Sequence, residues 1–165
     1  MAKQHMEVDT FQETRDQERI IAEGLWAIRP QDRAWDSITY VRNETGGVSS
    51  SIAKIYRGGE MKRAGAADEV HFAAEKLREV MYQPGKGAWL SMTLTVTPAG
   101  DGWETTYNYT EKPVWELGEP SANAYAYAYA YAYAQELYVF PRDGEHIPDW
   151  FKEELKDATW QAPQD

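Results

Sequence analysis

The chain predicts an α+β fold: an antiparallel meander of four to five strands with helices packed against it. Two observations carry that prediction. Period-two alternation recurs in paired runs separated by glycine-rich turns, and apolar residues recur at helical spacing in two other segments. The clearest pair lies between Trp89 and Tyr109. Met92, Leu94 and Val96 share one face of the first run, opposite Ser91, Thr93, Thr95 and Thr97. Pro98-Ala99-Gly100-Asp101-Gly102 supplies the turn, and Trp103, Thr105, Tyr107 and Tyr109 then alternate with Glu104, Thr106 and Asn108.

The remaining elements follow in order. Residues 1–9 read as a flexible N-terminal tail, and residues 10–160 as a single domain. A helix is expected from Thr10, with Thr10 and Glu13 as a capping box and Ile20, Ile21, Leu25 and Ile28 as its apolar side. Pro30 ends it. Trp35 to Arg42 and Val48 to Tyr56 form a second hairpin around Asn43-Glu44-Thr45-Gly46-Gly47, in which Ile38 and Tyr40 alternate with Thr39 and Val41. Gly58-Gly59 turns into a short run over Glu60 to Arg63. Asp68 to Met81 predicts a helix capped by Asp68 and stopped by Pro84-Gly85, with Val70, Ala73, Ala74, Leu77, Val80 and Met81 inward and Arg78 among the outward charges.

Residues 111–120 read as a proline- and acid-rich loop with Trp115 its bulky anchor. The alternating Ala-Tyr tract at 124–134 is the oddest segment. As a strand it stacks five tyrosines on one face; as a helix, 200° steps divide them between two faces. Propensities conflict, because alanine favours helix and tyrosine favours strand. The flanks decide for helix: Ser121 is a fitting cap, Gln135-Glu136-Leu137 continue helically, and Pro141 marks the end. A short helix from Pro148 to Lys156 closes the chain on Trp150, Phe151 and Leu155.

Composition excludes several function classes. At 165 residues, with 42% hydrophobic content and seven tryptophans, the chain has material for a real core. No apolar run approaches the roughly 20 residues needed to span a bilayer, and no signal-peptide pattern is visible, so a cytoplasmic location is expected. The absence of cysteine removes disulfides, thiolate metal sites and thiol nucleophiles. The net charge of −10 is uneven: residues 104–165 hold 12 Asp+Glu against 4 Lys+Arg, a net of −8. Nucleic-acid binding is disfavoured, because neutralising phosphates needs clustered Lys and Arg. A solvated acidic surface is the plainer meaning of the bias; a patch that meets a basic protein is the sharper one.

No catalytic set emerges, and neither metal nor cofactor is expected. His71 and Glu75 lie four apart on a helix, which is metal-ligand spacing, but without a third ligand ordinary surface pairing accounts for them. Ser49-Ser50-Ser51 lacks a nucleophile elbow. Pro84-Gly85-Lys86-Gly87 precedes a strand rather than a helix, so it reads as a linker and not a phosphate loop. Adjacent carboxylates such as Glu153-Glu154 diverge on a helix and do not suit shared acid–base work.

Taken together, these segments resemble the YezG-like immunity (antitoxin) family, in its actinobacterial form, over roughly residues 15–157. The resemblance rests on the N-terminal helix, the Trp35–Arg42 strand, and Ala74-Glu75-Lys76-Leu77-Arg78-Glu79-Val80-Met81. It continues through Trp89, Met92 to Val96, the glycine turn and Tyr107-Asn108-Tyr109. Glu136-Leu137, Phe140-Pro141-Arg142 and Ile147-Pro148-Asp149-Trp150 complete it. Family members usually carry aspartate where Thr110 stands, and the Ala-Tyr tract is not a family feature. The resemblance implies a non-enzymatic bacterial protein that binds and neutralises a cognate secreted polymorphic toxin, often a basic nuclease. A scaffold or regulatory module using the tyrosine tract, or a small hydrolase with an unrecognised site, are the competing readings.

The expected partner contacts are Glu104, Tyr107, Tyr109, Glu111, Trp115 and Glu116, led by the aromatic types favoured as interface anchors. Asp143, Glu145, Asp149, Glu153 and Glu154 form an electrostatic rim around them.

Overall fold

The computed structural model describes residues 2–115 and 125–159, with side chains described over 10–115 and 131–156. Helices α1 (Ala2–Ala27), α2 (Asp68–Val80), α3 (Tyr125–Val139) and α4 (Asp149–Thr159) accompany strands β1 (Ser37–Thr45), β2 (Val48–Arg57), β3 (Glu60–Ala64), β4 (Ser91–Val96) and β5 (Glu104–Asn108). The strands form one antiparallel sheet in the order β3-β2-β1-β4-β5, giving an α+β fold with helices packed on the sheet. No helix among the described residues is long and apolar enough to cross a membrane. Residue contacts group the chain into two compact units.

The first unit takes in residues 1–42, 51–81 and 92–107. Its α1 begins well before Thr10, so Thr10 lies inside the helix and caps nothing; the Thr14 hydroxyl instead donates back to the Thr10 carbonyl. Its inward face is Glu18, Ile21 and Leu25, at the i, i+3, i+7 spacing of one helical face. Ile20 is off that face and exposed. On α2, Val70, Ala73, Ala74 and Leu77 are buried as their spacing predicts. Arg78 is buried with them rather than turned outward, since it follows Ala74 by four residues. Ala67, not Asp68, occupies the N-cap position, and no side chain caps the helix; Asp68 and Glu69 instead place negative charge in its first turn. Helices α1 and α2 pack together, close enough that a Cβ on Gly24 would stand 2.3 Å from Val70 Cγ2.

Ile38, Tyr40, Met92, Leu94 and Val96 bury the predicted faces of β1 and β4. On β2 the deeply buried residue is Ala53, with Ile52 and Ile55 partly covered. The Gly58-Gly59 turn sets β3 in register with β2, from Arg57↔Glu60 to Ala53↔Ala64.

The second unit takes in residues 43–50, 82–91 and 108–165. The polar stretch Asn43-Glu44-Thr45, expected as turn, is strand. The Glu44 amide donates to the Leu90 carbonyl at 3.0 Å, and Asn43 Nδ2 donates to the Val114 carbonyl at 2.8 Å. The turn shrinks to Gly46-Gly47, both at positive φ, the two-residue form suited to a twisted hairpin. Gly46 has a second reason to lack a side chain: a Cβ there would stand 1.9 Å from the Ala132 carbonyl oxygen. The Ala-Tyr tract is helical from Tyr125, as the flanks predict; the proposed Ser121 cap lies outside the described residues. In α3 the tyrosines divide as a helix requires, with Tyr133 buried and Tyr131 exposed. Leu90, Tyr133 and Phe151 form a small core, flanked by Leu137, Ile147, Trp150 and Leu155.

Candidate interaction surface

The irregular chain of the second unit is fixed by point contacts from a few polar side chains. Arg142 is buried, and its guanidinium donates to the carbonyls of Tyr109 at 2.7 Å, Ala88 at 3.0 Å and His146 at 3.1 Å. It also stands 5.7 Å from the Phe151 ring centroid. A guanidinium presents donors in a fixed fork, which suits it to tie three carbonyls at once. Asn108 does the same work on the next turn: Oδ1 accepts from the amides of Thr110 and Glu111, while Nδ2 donates to Ser91 Oγ and the Glu111 carbonyl. Trp150 Nε1 donates to the Thr110 carbonyl at 2.7 Å. Fully buried Glu136 accepts from the Gly46 amide at 3.0 Å. The Pro84–Gly87 segment pairs with the chain at Arg142 through short β-bridges, which makes it a packed connection.

This frame decides what the expected contact residues present. In the second unit Glu111, Asp143, Glu145, Asp149 and Glu153 are exposed. Glu154 is half-buried and pairs with Lys112 at 2.8 Å, and Glu153 pairs with Lys156 at 2.7 Å. Tyr109 is half-buried, with its carbonyl held by Arg142. Trp115 is only 6% exposed, so its indole is packed rather than offered to a partner. Glu116 lies outside the described residues. Beside these, Val114 and Tyr138 are more than 80% exposed and Val139 is 53% exposed. Tyr131 and Tyr138 are seven apart on α3 and so share its outer side. Sequence reasoning passed over Tyr138 and Val139, although the seven-residue spacing from Tyr131 was a signal available to find Tyr138.

In the first unit Glu104 is exposed on β5. Tyr107 is turned inward with its hydroxyl, which donates to Glu18 at 2.7 Å. Thr105 Oγ1 donates to the same carboxylate at 2.6 Å and Trp103 Nε1 at 3.4 Å, while Arg15 lies 3.5 Å away. A buried carboxylate is costly unless donors surround it, and Thr105 and Tyr107 on β5, with Trp103 just before it, provide them. The alternating residues Trp103, Thr105 and Tyr107 therefore form a hydrogen-bonded seam with Glu18.

Other ionisable groups are engaged in pairs. His71 Nδ1 lies 2.9 Å from the Tyr40 hydroxyl and 3.0 Å from Ser51 Oγ, which makes the ring a hub for two hydroxyls. Glu75 is drawn to Arg42 at 3.5 Å instead of joining His71 in a metal-binding pair. Among the described residues, no three or more His, Asp or Glu gather as a metal site would require. The backbone amide of Ala34 and then the Arg57 guanidinium hold the Asp32 carboxyl below its usual range. The Glu153 carboxylate raises the Lys156 ammonium above its own. Both groups sit on the open surface.

What the second unit offers chemically is attraction: it exposes carboxylates and also aromatic and aliphatic side chains, on a backbone that buried polar groups hold in place. Comparison with protein-family models gives no match for this chain, and no curated protein matches it.

Proposed function

We propose that the chain is an immunity protein of the YezG-like kind, which binds a cognate bacterial toxin in the cytoplasm and neutralises it by surface complementarity. The observation that carries this reading is the exposed set Glu111, Asp143, Glu145, Asp149 and Glu153, accompanied in the same unit by exposed Val114, Tyr138 and Val139. Interfaces combine apolar anchors with a charged rim, and a negative rim speeds the approach of a positive partner. The partner chemistry this favours is a basic domain, such as a nuclease that must itself hold phosphates. On this reading the chain performs no bond-breaking; it occupies or covers the toxin.

The exposure of Tyr131 and Tyr138 supports a second reading, a scaffold module that uses the tyrosine side of α3 for a different partner. One experiment separates them. The chain is co-expressed with the toxin domain encoded beside it, and growth and co-purification are scored. Rescue of growth with a stable complex supports the immunity reading; a toxin that remains lethal and unbound removes it.

A further inference from the structure

The first unit holds a cleft of about 270 Å³ between helix α1 and the β4–β5 turn. Trp26 and Trp103 line it, together with Ala22 and Val96, both buried. Gly100 closes one end without filling it: a Cβ there would stand 3.1 Å from the Trp26 ring. Arg19 and Glu23, four apart on α1, lie at the rim. Arg19 pairs with Asp16 at 3.6 Å, whereas Glu23 has no hydrogen bond or ion pair with any described residue. The uncompensated charge at the cleft is thus a carboxylate.

The indoles have already shown what they attract. The Arg15 guanidinium stands 4.4 Å from the Trp103 ring centroid, and the Arg29 guanidinium stands 4.4 Å from that of Trp26. Neither Arg15 nor Arg29 is among the residues that line the cleft. Tryptophan is the strongest cation–π acceptor among the side chains, and a carboxylate beside two indoles is the composition of a cage for an organic cation. A planar guanidinium suits a slot between indoles better than a compact, strongly hydrated ammonium.

We propose that the cleft between Trp26 and Trp103 receives an arginine side chain of a basic protein partner, with Glu23 as its counter-ion. This rests on the binding activity proposed above and gives it an anchor point within the first unit. The two indoles stack on the guanidinium, Ala22 and Val96 meet its aliphatic stem, and the Glu23 carboxylate accepts from its outer N–H groups. The net charge of −10 supports a positive partner over a negative one.

The test uses the full chain and three capped tripeptides: Gly-Arg-Gly, Gly-citrulline-Gly and Gly-Phe-Gly. Citrulline matches arginine in shape and lacks its charge. Binding is read from the assigned indole N–H resonances of Trp26 and Trp103 at fixed ionic strength. The arginine peptide should shift both resonances saturably, and the citrulline peptide should not. Glu23→Gln, on the exposed rim, should weaken the arginine peptide about two- to fivefold, as loss of one partly exposed charge contact does. The thermal melt of E23Q should match that of the parent chain. Equal response to the citrulline or phenylalanine peptide, no saturable shift, or no effect of Glu23→Gln would each overturn the proposal. Failure here is separable from failure of the immunity reading. Peptide binding without toxin capture removes the latter alone, and toxin capture unaffected by Glu23→Gln and without peptide binding removes the former alone.

Discussion

Glu18 and Glu136 are both buried carboxylates, and the two compact units use them in opposite ways. Glu18 lies on the inward face of α1 and accepts from side chains, those of Thr105 and Tyr107 on β5 and of Trp103 just before it. Glu136, on α3, accepts from a main-chain amide at the Gly46 turn. Arg142 extends that second pattern with three bonds to carbonyls. Regular elements satisfy their own backbone, so in the first unit buried polar side chains join one element to another. Where the chain is irregular, as around residues 109–115 and 141–148, backbone groups need outside partners, and charged side chains supply them. The second unit therefore concentrates its contacts in a few side chains.

The largest expected effect follows from that concentration. Arg142→Met keeps much of the stem but leaves the carbonyls of Ala88, Tyr109 and His146 without their donor, and should cost about 3–5 kcal/mol in chemical denaturation. A loss under about 1 kcal/mol would show that the carbonyls find other donors and that the contrast between the units is false. Gly46→Ala comes next, at about 2–3 kcal/mol, since it adds a Cβ at positive φ against the Ala132 carbonyl. Glu18→Gln should cost less, about 1–2 kcal/mol, because the amide keeps one acceptor oxygen and its three donors, Trp103, Thr105 and Tyr107, are side chains free to adjust. A larger loss from Glu18→Gln than from Arg142→Met would invert the comparison.

The smallest effect concerns a surface pair in the first unit. Asp32 titrates below the ordinary carboxylate value because the Ala34 amide and Arg57 favour its charged form. A folded-state pKa that is depressed adds stability above the unfolded-state value and loses it as pH falls through the folded one. Solvent screens this exposed pair, so Asp32→Asn should leave stability near neutral pH almost unchanged and should slightly flatten its decline in acid. Denaturation midpoints measured from neutral to acidic pH check both parts.

The periodic features of the chain were legible in sequence. Met92, Leu94 and Val96 alternate inward, Ile21 and Leu25 with the α2 stripe fall on buried faces, and the Ala-Tyr tract continues into a helix because its flanks do. What escaped has no local period. Glu18 meets Trp103, Thr105 and Tyr107 across 85 to 89 residues and Glu136 meets Gly46 across 90, so nothing nearby separates them from surface charges. Arg142 likewise reads as one more basic residue until the carbonyls around it are placed. The contact set divided along the same line. Short acidic side chains on α4 and its approach stayed outward, as hydration requires, whereas Tyr107 and Trp115 turned inward because each large ring gains more from burial than from water. The Trp26–Trp103 cleft was invisible because its walls come from elements distant in sequence.

The central claim is that the exposed carboxylates of the second unit draw and hold a basic protein. It is tested most directly by the association rate between this chain and the toxin domain encoded beside it, at low and high salt. The parent chain is compared with a variant carrying Glu111→Gln, Glu145→Gln and Glu153→Gln. We predict a rate about tenfold lower for the variant at low salt, a difference that closes as salt rises, and a dissociation rate changed far less. Equal association rates with the same salt dependence would contradict the claim.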